Sequence, residues 1–146
     1  MNTLSINKQP LDNTTEGIDI PLFAQGIQAG FPSPAADFME DTIDLNKYLI
    51  RNGPSTFIAR STGKSMIGAG IDDNDLLIID KSLPPLSGRI AVCVINNEFT
   101  LKRLLVRNGQ LYLMPENNTF EPIRVTEFAD FEVWGILTHS IKHHLK

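Results

Sequence analysis

The sequence predicts a mainly β protein: a compact, curled antiparallel sheet with one short helix and an extended N-terminal arm. Short apolar runs follow one another from Thr56 onward, and each is bounded by turn residues. Asn96-Asn97 and Asn108-Gly109 separate neighbouring runs and are typical of tight hairpin turns. Helical spacing of apolar residues occurs only in residues 35–50. Hairpins at this spacing favour a sheet that curls on itself.

Residues 1–34 are predicted to form a mobile arm, and residues 35–146 the β domain. Asn, Thr, Gln and Pro dominate residues 2–15, a composition that cannot build a packed core. Residues 18–27 are more apolar and favour an extended segment. Residues 31–34, Phe-Pro-Ser-Pro, cannot lie inside a helix, because proline lacks an N–H and biases its predecessor to extended geometry.

The helical signal in residues 35–50 predicts the short helix. Asp44 is a suitable N-cap for a helix that runs to Ile50, because its carboxylate can accept the free N–H groups of the first turn. Asn52-Gly53-Pro54 should end this helix. The remaining apolar runs predict seven strands, at residues 57–60, 75–80, 89–95, 98–106, 110–114, 123–125 and 131–140.

Charge and cysteine content limit the classes of function. The net charge of −4 and a pI of about 5.3 argue against a nucleic-acid binder that uses a broad basic face. Cys93 is the single cysteine, so no intramolecular disulfide can form, and it is predicted to be a core thiol. Residues 1–15 lack the apolar stretch of a signal peptide, and the apolar run 90–95 is too short to span a bilayer. We therefore expect a cytoplasmic protein without membrane contact.

Three segments carry candidate chemistry. Ser65 lies in a turn of small residues, and Lys102 lies in an apolar strand. Upstream, Ala29-Gly30 is a small-small peptide bond in the predicted arm. A serine hydroxyl is a poor nucleophile until a base takes its proton, and a lysine can do so only when burial lowers its pKa from about 10.4. Taken singly, an exposed strand lysine and an ordinary turn serine are the commoner interpretations.

Taken together, these segments resemble the LexA/UmuD family of self-cleaving Ser-Lys peptidases, of the S24 type. Residues 29–37 resemble the cleavage-site segment of the UmuD branch. Residues 63–80 resemble the family's nucleophile segment, and residues 98–104 resemble its lysine strand. The motifs are Ala29-Gly30-Phe31-Pro32-Ser33-Pro34, Gly63-x-Ser65-Met66 with Asp75-Leu76-Leu77-Ile78-Ile79-Asp80, and Glu98-Phe99-Thr100-Leu101-Lys102. The resemblance covers roughly residues 20–140.

The resemblance implies a role for each matching residue and the β-clip fold of LexA C-terminal domains. Ser65 would be the nucleophile, and Lys102 the general base and later the general acid. Ala29–Gly30 would be the scissile bond, and backbone N–H groups at Lys64 and Ser65 would form the oxyanion hole. Two positions depart from the pattern: Ala29 stands where the best-known member of the branch has cysteine, and Lys64 stands where the family is often acidic or polar. We expect the Lys64 side chain to point to solvent, since burying an unpaired charge is costly.

The resemblance also implies partners. The trimmed chain would act as a homodimer and as accessory subunit of a UmuC-like, error-prone translesion polymerase in the SOS response to DNA damage. A RecA–single-stranded-DNA filament would act as coprotease for the self-cleavage. The 29 residues before Gly30 hold one basic residue, Lys8, and no helix-turn-helix. Sequence-specific DNA binding is therefore not expected, and neither is a cofactor or a metal ion.

Three alternatives remain open at this stage. The chain could be a non-cleaving, homodimeric protein-binding module of the same fold that regulates a polymerase or a LexA-like regulator. It could be a signal-peptidase-like enzyme that acts on other proteins, although such enzymes work at membranes. A repressor-like DNA binder is disfavoured by the acidic arm.

A metal site is not expected at the histidines. His139, His143 and His144 lack cysteine or carboxylate partners at ligand spacing.

Overall fold

The computed structural model describes residues 17–23, 26–30 and 39–145. The chain divides into two units, residues 1–48 and residues 49–146. In the first unit, strand β1 (Ile20–Phe23) pairs antiparallel with strand β2 (Met39–Ile43), with a register shift at Leu22/Phe23. The two strands form a separate two-stranded sheet. The extended conformation predicted within residues 18–27 is confirmed for β1, and the predictions for residues 1–16 and 31–34 lie outside the described residues.

The predicted helix is present but shorter than the helical signal. Helix α1 is Leu45–Leu49, and the Asp44 carboxylate accepts the Asn46 N–H at 3.0 Å, which confirms the predicted cap. The helical spacing of apolar residues also extends over residues 39–43, but these residues form β2. Pairing with β1 supplies hydrogen bonds to this backbone, and the β-branched pair Thr42-Ile43 suits a strand, so long-range pairing prevails over local spacing. Residues 35–38 lie outside the described part of the chain.

The second unit is a seven-stranded sheet in which every neighbouring pair is antiparallel. Its order is β3-β4-β9-β5-β6-β7-β8. Short 3₁₀ turns at Gly53–Ser55 and Ile67–Ala69 precede β3 and β4. The mainly β fold predicted from sequence is confirmed. The strands are β3 (Thr56–Arg60), β4 (Leu76–Asp80), β5 (Ile90–Ile95), β6 (Glu98–Arg107), β7 (Gln110–Met114), β8 (Ile123–Val125) and β9 (Phe131–Ile141).

Two hairpin turns place β5, β6 and β7 side by side. Asn96 and Asn97 have φ of 49° and 66°, and Asn108 and Gly109 have φ of 52° and 74°. Two successive left-handed residues are the signature of the tight turns that match the twist of paired strands. Both predicted hairpins are therefore confirmed. The long strand β6, which carries the candidate lysine, lies between its two partners.

Two apolar clusters hold the sheet together. The first contains Cys93, Leu104 and Leu113 with their neighbours, and the predicted core thiol is fully buried. The second contains Met66, Ile71, Leu77 and Ile79 and lies beside the candidate serine. Burying each such side chain contributes about 1.5–3 kcal/mol to stability. The cluster therefore holds the adjacent turn that carries Ser65 in place. In the described ranges, no helix is long and apolar enough to cross a membrane.

Candidate active site

The turn that carries Ser65 is fixed at both ends. It follows β3 and begins at Ser61, which is buried and exchanges backbone hydrogen bonds with Asn74 and Asp75. Gly63 takes a φ of 88°, a conformation that a side chain would strain. Immediately after Ser65, Met66 is 3% exposed and packs into the second apolar cluster. A buried residue next to a half-buried serine holds the hydroxyl near the surface in a defined position.

Lys102 lies in the middle of β6 and points inward. Residues two apart share a face of a strand, so Lys102 lies on the same face as the buried Leu104. Only 9% of Lys102 is exposed, which is unusual for a lysine. Cross-strand pairing with the fully buried Ala91 places it against the core. The apolar surroundings expected for this lysine are present.

The structure brings Ser65 and Lys102 together although 37 positions separate them in sequence. Lys102 Nζ lies 3.1 Å from Ser65 Oγ, 2.8 Å from Thr100 Oγ1 and 3.2 Å from the Leu101 carbonyl oxygen. A neutral amine has two N–H donors and one lone pair. It can donate to the Leu101 carbonyl and to Thr100 while it accepts the Ser65 hydroxyl proton, so all three contacts are satisfied.

The surroundings of Lys102 disfavour its charged form. Burial in this apolar site lowers the pKa of the amine, and the opposing effect of the nearby Cys93, which would act through its thiolate form, is the smaller of the two. Burial raises the pKa of Cys93 to about 11, so this thiol is neutral at pH 7 and supplies no counter-charge. Within the described ranges, Lys102 forms no ion pair with a carboxylate. A lysine in this setting is suited to accept a proton.

A cleft of about 400 Å³ in the second unit contains both side chains. Gly63 and Ser65 line one part of it, and Phe57, Phe99 and Trp134 form an aromatic wall elsewhere. Phe99 and Trp134 meet edge to face, with ring centroids 5.0 Å apart. A site of this size whose lining is mainly apolar suits a short peptide segment with apolar or small side chains.

The remaining predicted site residues are placed as follows. Ala29 and Gly30 are exposed and form a bend in the first unit. Lys64 is exposed, as expected from the cost of burying its charge. Within the part of the chain that the structure describes, the backbone N–H groups of Lys64 and Ser65 make no hydrogen bond, so both are free to donate.

Two features of the site were missed by sequence reasoning. Thr100 lies two residues before Lys102 on the same face of β6, and the period-two rule for strands was a signal that could have found it. Asn117 donates from Nδ2 to the Lys64 carbonyl oxygen at 2.9 Å. No local pattern pointed to Asn117, because 53 positions separate the two residues and only the strand order brings them together.

No metal centre is evident in the described ranges, where no group of three or more His, Cys, Asp and Glu side chains gathers at ligand distance. The three histidines lie on or after the last strand, β9, and the cleft residues do not include them. The chemistry that this cleft can carry out with its own side chains is proton transfer and nucleophilic attack.

Comparison with known proteins places the chain among peptidases. Residues 21–138 match the family described as Peptidase S24-like. The chain is similar to the protein MucA of Salmonella typhimurium, with 40% identity over 126 residues that cover 86% of each chain. It is also similar to the protein ImpA of Escherichia coli, with 42% identity over 83% of this chain and 82% of ImpA. A LexA repressor of Clostridium perfringens is 40% identical over 77% of this chain and 55% of the repressor.

Proposed function

The chain belongs to the Peptidase S24-like family, and on that premise we propose that it is a serine peptidase that cuts its own Ala29–Gly30 bond. One observation carries the proposal: Lys102 Nζ lies 3.1 Å from Ser65 Oγ in a buried site that provides no carboxylate partner among the described residues. A serine and a desolvated lysine within hydrogen-bond distance form a nucleophile and its base.

The first half of the reaction forms an acyl-enzyme. Neutral Lys102 takes the Ser65 hydroxyl proton as Ser65 Oγ attacks the carbonyl carbon of Ala29. The tetrahedral intermediate then collapses, the C–N bond to Gly30 breaks, and protonated Lys102 gives its proton to the leaving amine. Gly30 becomes a new N-terminal amine, and residues 1–29 stay attached to residues 30–146 through an ester between the Ala29 carbonyl carbon and Ser65 Oγ.

The second half regenerates the enzyme. Lys102 is neutral again and takes a proton from water, whose oxygen attacks the ester carbonyl carbon. The ester C–O bond breaks, Lys102 returns the first proton to Ser65 Oγ, and the segment 1–29 leaves as a carboxylic acid that gives its remaining proton to solvent. Each oxyanion is negatively charged in the transition state. The free N–H groups of Lys64 and Ser65 are the donors proposed to stabilise it, and one such donor is typically worth about 2.7–4 kcal/mol.

Small residues at the proposed cut site ease its approach to Ser65. Ala29 and Gly30 present little side-chain volume, so an extended segment meets few clashes on approach to a half-buried serine. Residues 1–34 act as the tethered arm in this proposal, and residues 35–146 as the catalytic domain. Tethering removes the entropic cost of bringing two molecules together, which can lower the barrier by several kcal/mol.

The product has a further role in the proposal, as the homodimeric accessory subunit of a UmuC-like, error-prone translesion polymerase in the SOS response. A RecA–single-stranded-DNA filament stimulates the cut, and the reaction takes place in the cytoplasm. This part rests on the resemblance to the UmuD branch and on the similarity to MucA and ImpA over more than four-fifths of the chain.

The test is intact mass spectrometry of the purified full chain over time, with and without a RecA–single-stranded-DNA filament. The expected result is conversion to residues 30–146, in the wild type only, beside a Ser65→Ala control that keeps its full mass. Full-length wild type under both conditions would contradict the peptidase proposal and favour the non-cleaving binding module. A cut at another bond would contradict the assignment of Ala29–Gly30.

A further inference from the structure

The loop between β7 and β8 contacts the turn that carries the nucleophile. We propose that Asn117 in this loop is a positioning residue that aims the Ser65 N–H toward the oxyanion. The inference rests on the proposed peptidase function and adds a residue that no motif assigns. Three contacts from the loop to the turn carry it: one from the Asn117 side chain and two from the Glu116 backbone.

The Asn117 side chain contacts the peptide group between Lys64 and Ser65. Asn117 Nδ2 donates to the Lys64 carbonyl oxygen at 2.9 Å. A trans peptide is planar, and its C=O and N–H point in opposite directions. The described residues contain no cis peptide bond. Holding the Lys64 carbonyl on the Asn117 side therefore holds the Ser65 N–H on the other side, where the described residues offer it no acceptor.

The Asn117 amide is itself held in one orientation by Thr119. Its Oδ1 accepts two hydrogen bonds from Thr119, from the backbone N–H at 3.1 Å and from the hydroxyl at 2.9 Å. The amide atom that accepts both hydrogen bonds must be the oxygen, because the NH2 group only donates. Nδ2 is therefore the atom that donates to the Lys64 carbonyl oxygen. The amide is thus pre-set to hold that carbonyl.

The Glu116 backbone contacts the next peptide group, between Ser65 and Met66. The Glu116 N–H donates to the Ser65 carbonyl oxygen at 2.8 Å, and the Gly68 N–H donates to the Glu116 carbonyl oxygen at 2.7 Å. A Cβ at position 68 would overlap that carbonyl oxygen, so glycine permits the close approach. The Glu116 carboxylate also pairs with Arg103, the neighbour of Lys102 in β6. The loop therefore connects the serine turn to the lysine strand.

Without the Asn117 amide, the Lys64 carbonyl keeps one long bond, from the Ile67 N–H at 3.4 Å. Rotation of this peptide would turn the Lys64 carbonyl oxygen toward the developing oxyanion in place of the Ser65 N–H. Repulsion would replace a hydrogen bond in the transition state. Complete loss of one oxyanion donor typically lowers a rate by about 10²–10³-fold. Loss of the Asn117 hydrogen bond that positions this donor should lower the rate by less.

The experiment compares self-cleavage rates of the full chain. Asn117→Asp keeps an oxygen for Thr119 and replaces the donor to Lys64 by an acceptor. Asn117→Ala removes the donor without adding charge. Asn118→Asp is the matched control, because Asn118 is exposed, adjacent, and makes no hydrogen bond to the serine turn. Each rate is measured across pH by intact mass, beside the thermal unfolding midpoint.

The expected result is a rate at least about tenfold lower in both Asn117 variants and unchanged in Asn118→Asp. The pH midpoint of the Asn117→Ala rate should equal that of the wild type, because Lys102 is untouched, whereas a general disturbance of the fold would move the unfolding midpoint. A wild-type rate in either folded Asn117 variant overturns the inference. A wild type that never cleaves overturns the proposed function instead, so the two failures are distinguishable.

Discussion

At the scale of single residues, the proposed chemistry depends on an amine in an apolar site. Lys102 is 9% exposed, and burial lowers its pKa, whereas a solvated lysine carries its charge up to about pH 10.4. The same burial that makes the amine a base also costs stability at neutral pH, because the unfolded chain binds a proton there more readily than the folded chain does. Function and stability are thus opposed at this position.

Replacing Lys102 by methionine should separate the two effects. Lys102→Met should abolish self-cleavage and raise the free energy of unfolding at pH 7, by about 1.4 kcal/mol for each unit by which folding lowers the lysine pKa. The wild type should gain stability as pH rises from the folded pKa toward about 10.5, and the variant should lack this gain. Urea unfolding at several pH values measures it, and lower stability of Lys102→Met at pH 7 would contradict the account.

The Thr100 hydroxyl should raise the pKa of Lys102. Thr100→Val removes the hydroxyl that lies 2.8 Å from Lys102 Nζ and keeps the shape of the side chain. Because that hydroxyl stabilises the charged amine as an acceptor, its loss should lower the lysine pKa further and move the rate midpoint to lower pH. We also expect a plateau rate about tenfold lower, since the amine is held less firmly. The matched control is Thr126→Val on the exposed surface, and a midpoint that stays in place or rises in Thr100→Val would contradict this role.

At the scale of elements, Asp80 fixes the end of β4 to its surroundings. One carboxylate oxygen accepts from Ser55 Oγ at 2.8 Å, from the Ser82 N–H at 2.8 Å and from Ser82 Oγ at 2.7 Å. These bonds, first those from Ser82, lower the pKa of Asp80 although burial acts in the opposite direction. The carboxylate therefore ties the turn before β3 and the turn after β4 to one point.

Asp80→Ala should destabilise the second unit by about 1–3 kcal/mol at pH 7, because three donors lose a shared acceptor. A carboxylate with a lowered pKa contributes stability above its unfolded pKa of about 3.8, and that stability is lost as pH falls through the folded pKa. The difference between wild type and variant should therefore shrink in acid. Thermal unfolding from pH 7 to pH 3 measures it, with the exposed Asp130→Ala as control; a difference that is constant with pH would contradict this role.

Sequence predicted elements well where the signal is local. The hairpin turns at Asn96-Asn97 and Asn108-Gly109 need left-handed backbone, and residue type alone indicates this. The strand at residues 39–43 was missed because its partner, β1, is distant in sequence and because Met39 and Ile43 also suit helical spacing. The helix cap at Asp44 depends on the next few residues only, and it was predicted correctly.

At the scale of the whole molecule, the site exists because of strand order. Ser65 follows β3, Lys102 lies in β6, and β4, β9 and β5 lie between those strands in the sheet. The last strand, β9, lies between β4 and β5 and packs Gly135 so closely on Ile79 that a Cβ would overlap its side chain. Nothing in the local sequence encodes this order.

The family resemblance therefore predicted a contact that the spacing of apolar residues could not predict. The pairing of Ser65 with Lys102 was predicted from family motifs, and the structure places the two side chains in hydrogen-bond contact. The contact of Asn117 with the Lys64 carbonyl has no such motif, so it emerged only from the folded geometry. The bond Ala29–Gly30 and the roles of the partners remain predictions.

The central claim is that a neutral Lys102 activates Ser65 to cut the chain at Ala29–Gly30, and its most direct test is the pH profile of self-cleavage. Intact mass should show the rate of appearance of residues 30–146 rising about tenfold per pH unit until Lys102 is neutral, and then reaching a plateau. Ser65→Ala and Lys102→Ala should not cleave at any pH. A rate independent of pH, or cleavage that persists in Lys102→Ala with the wild-type profile, would contradict the account.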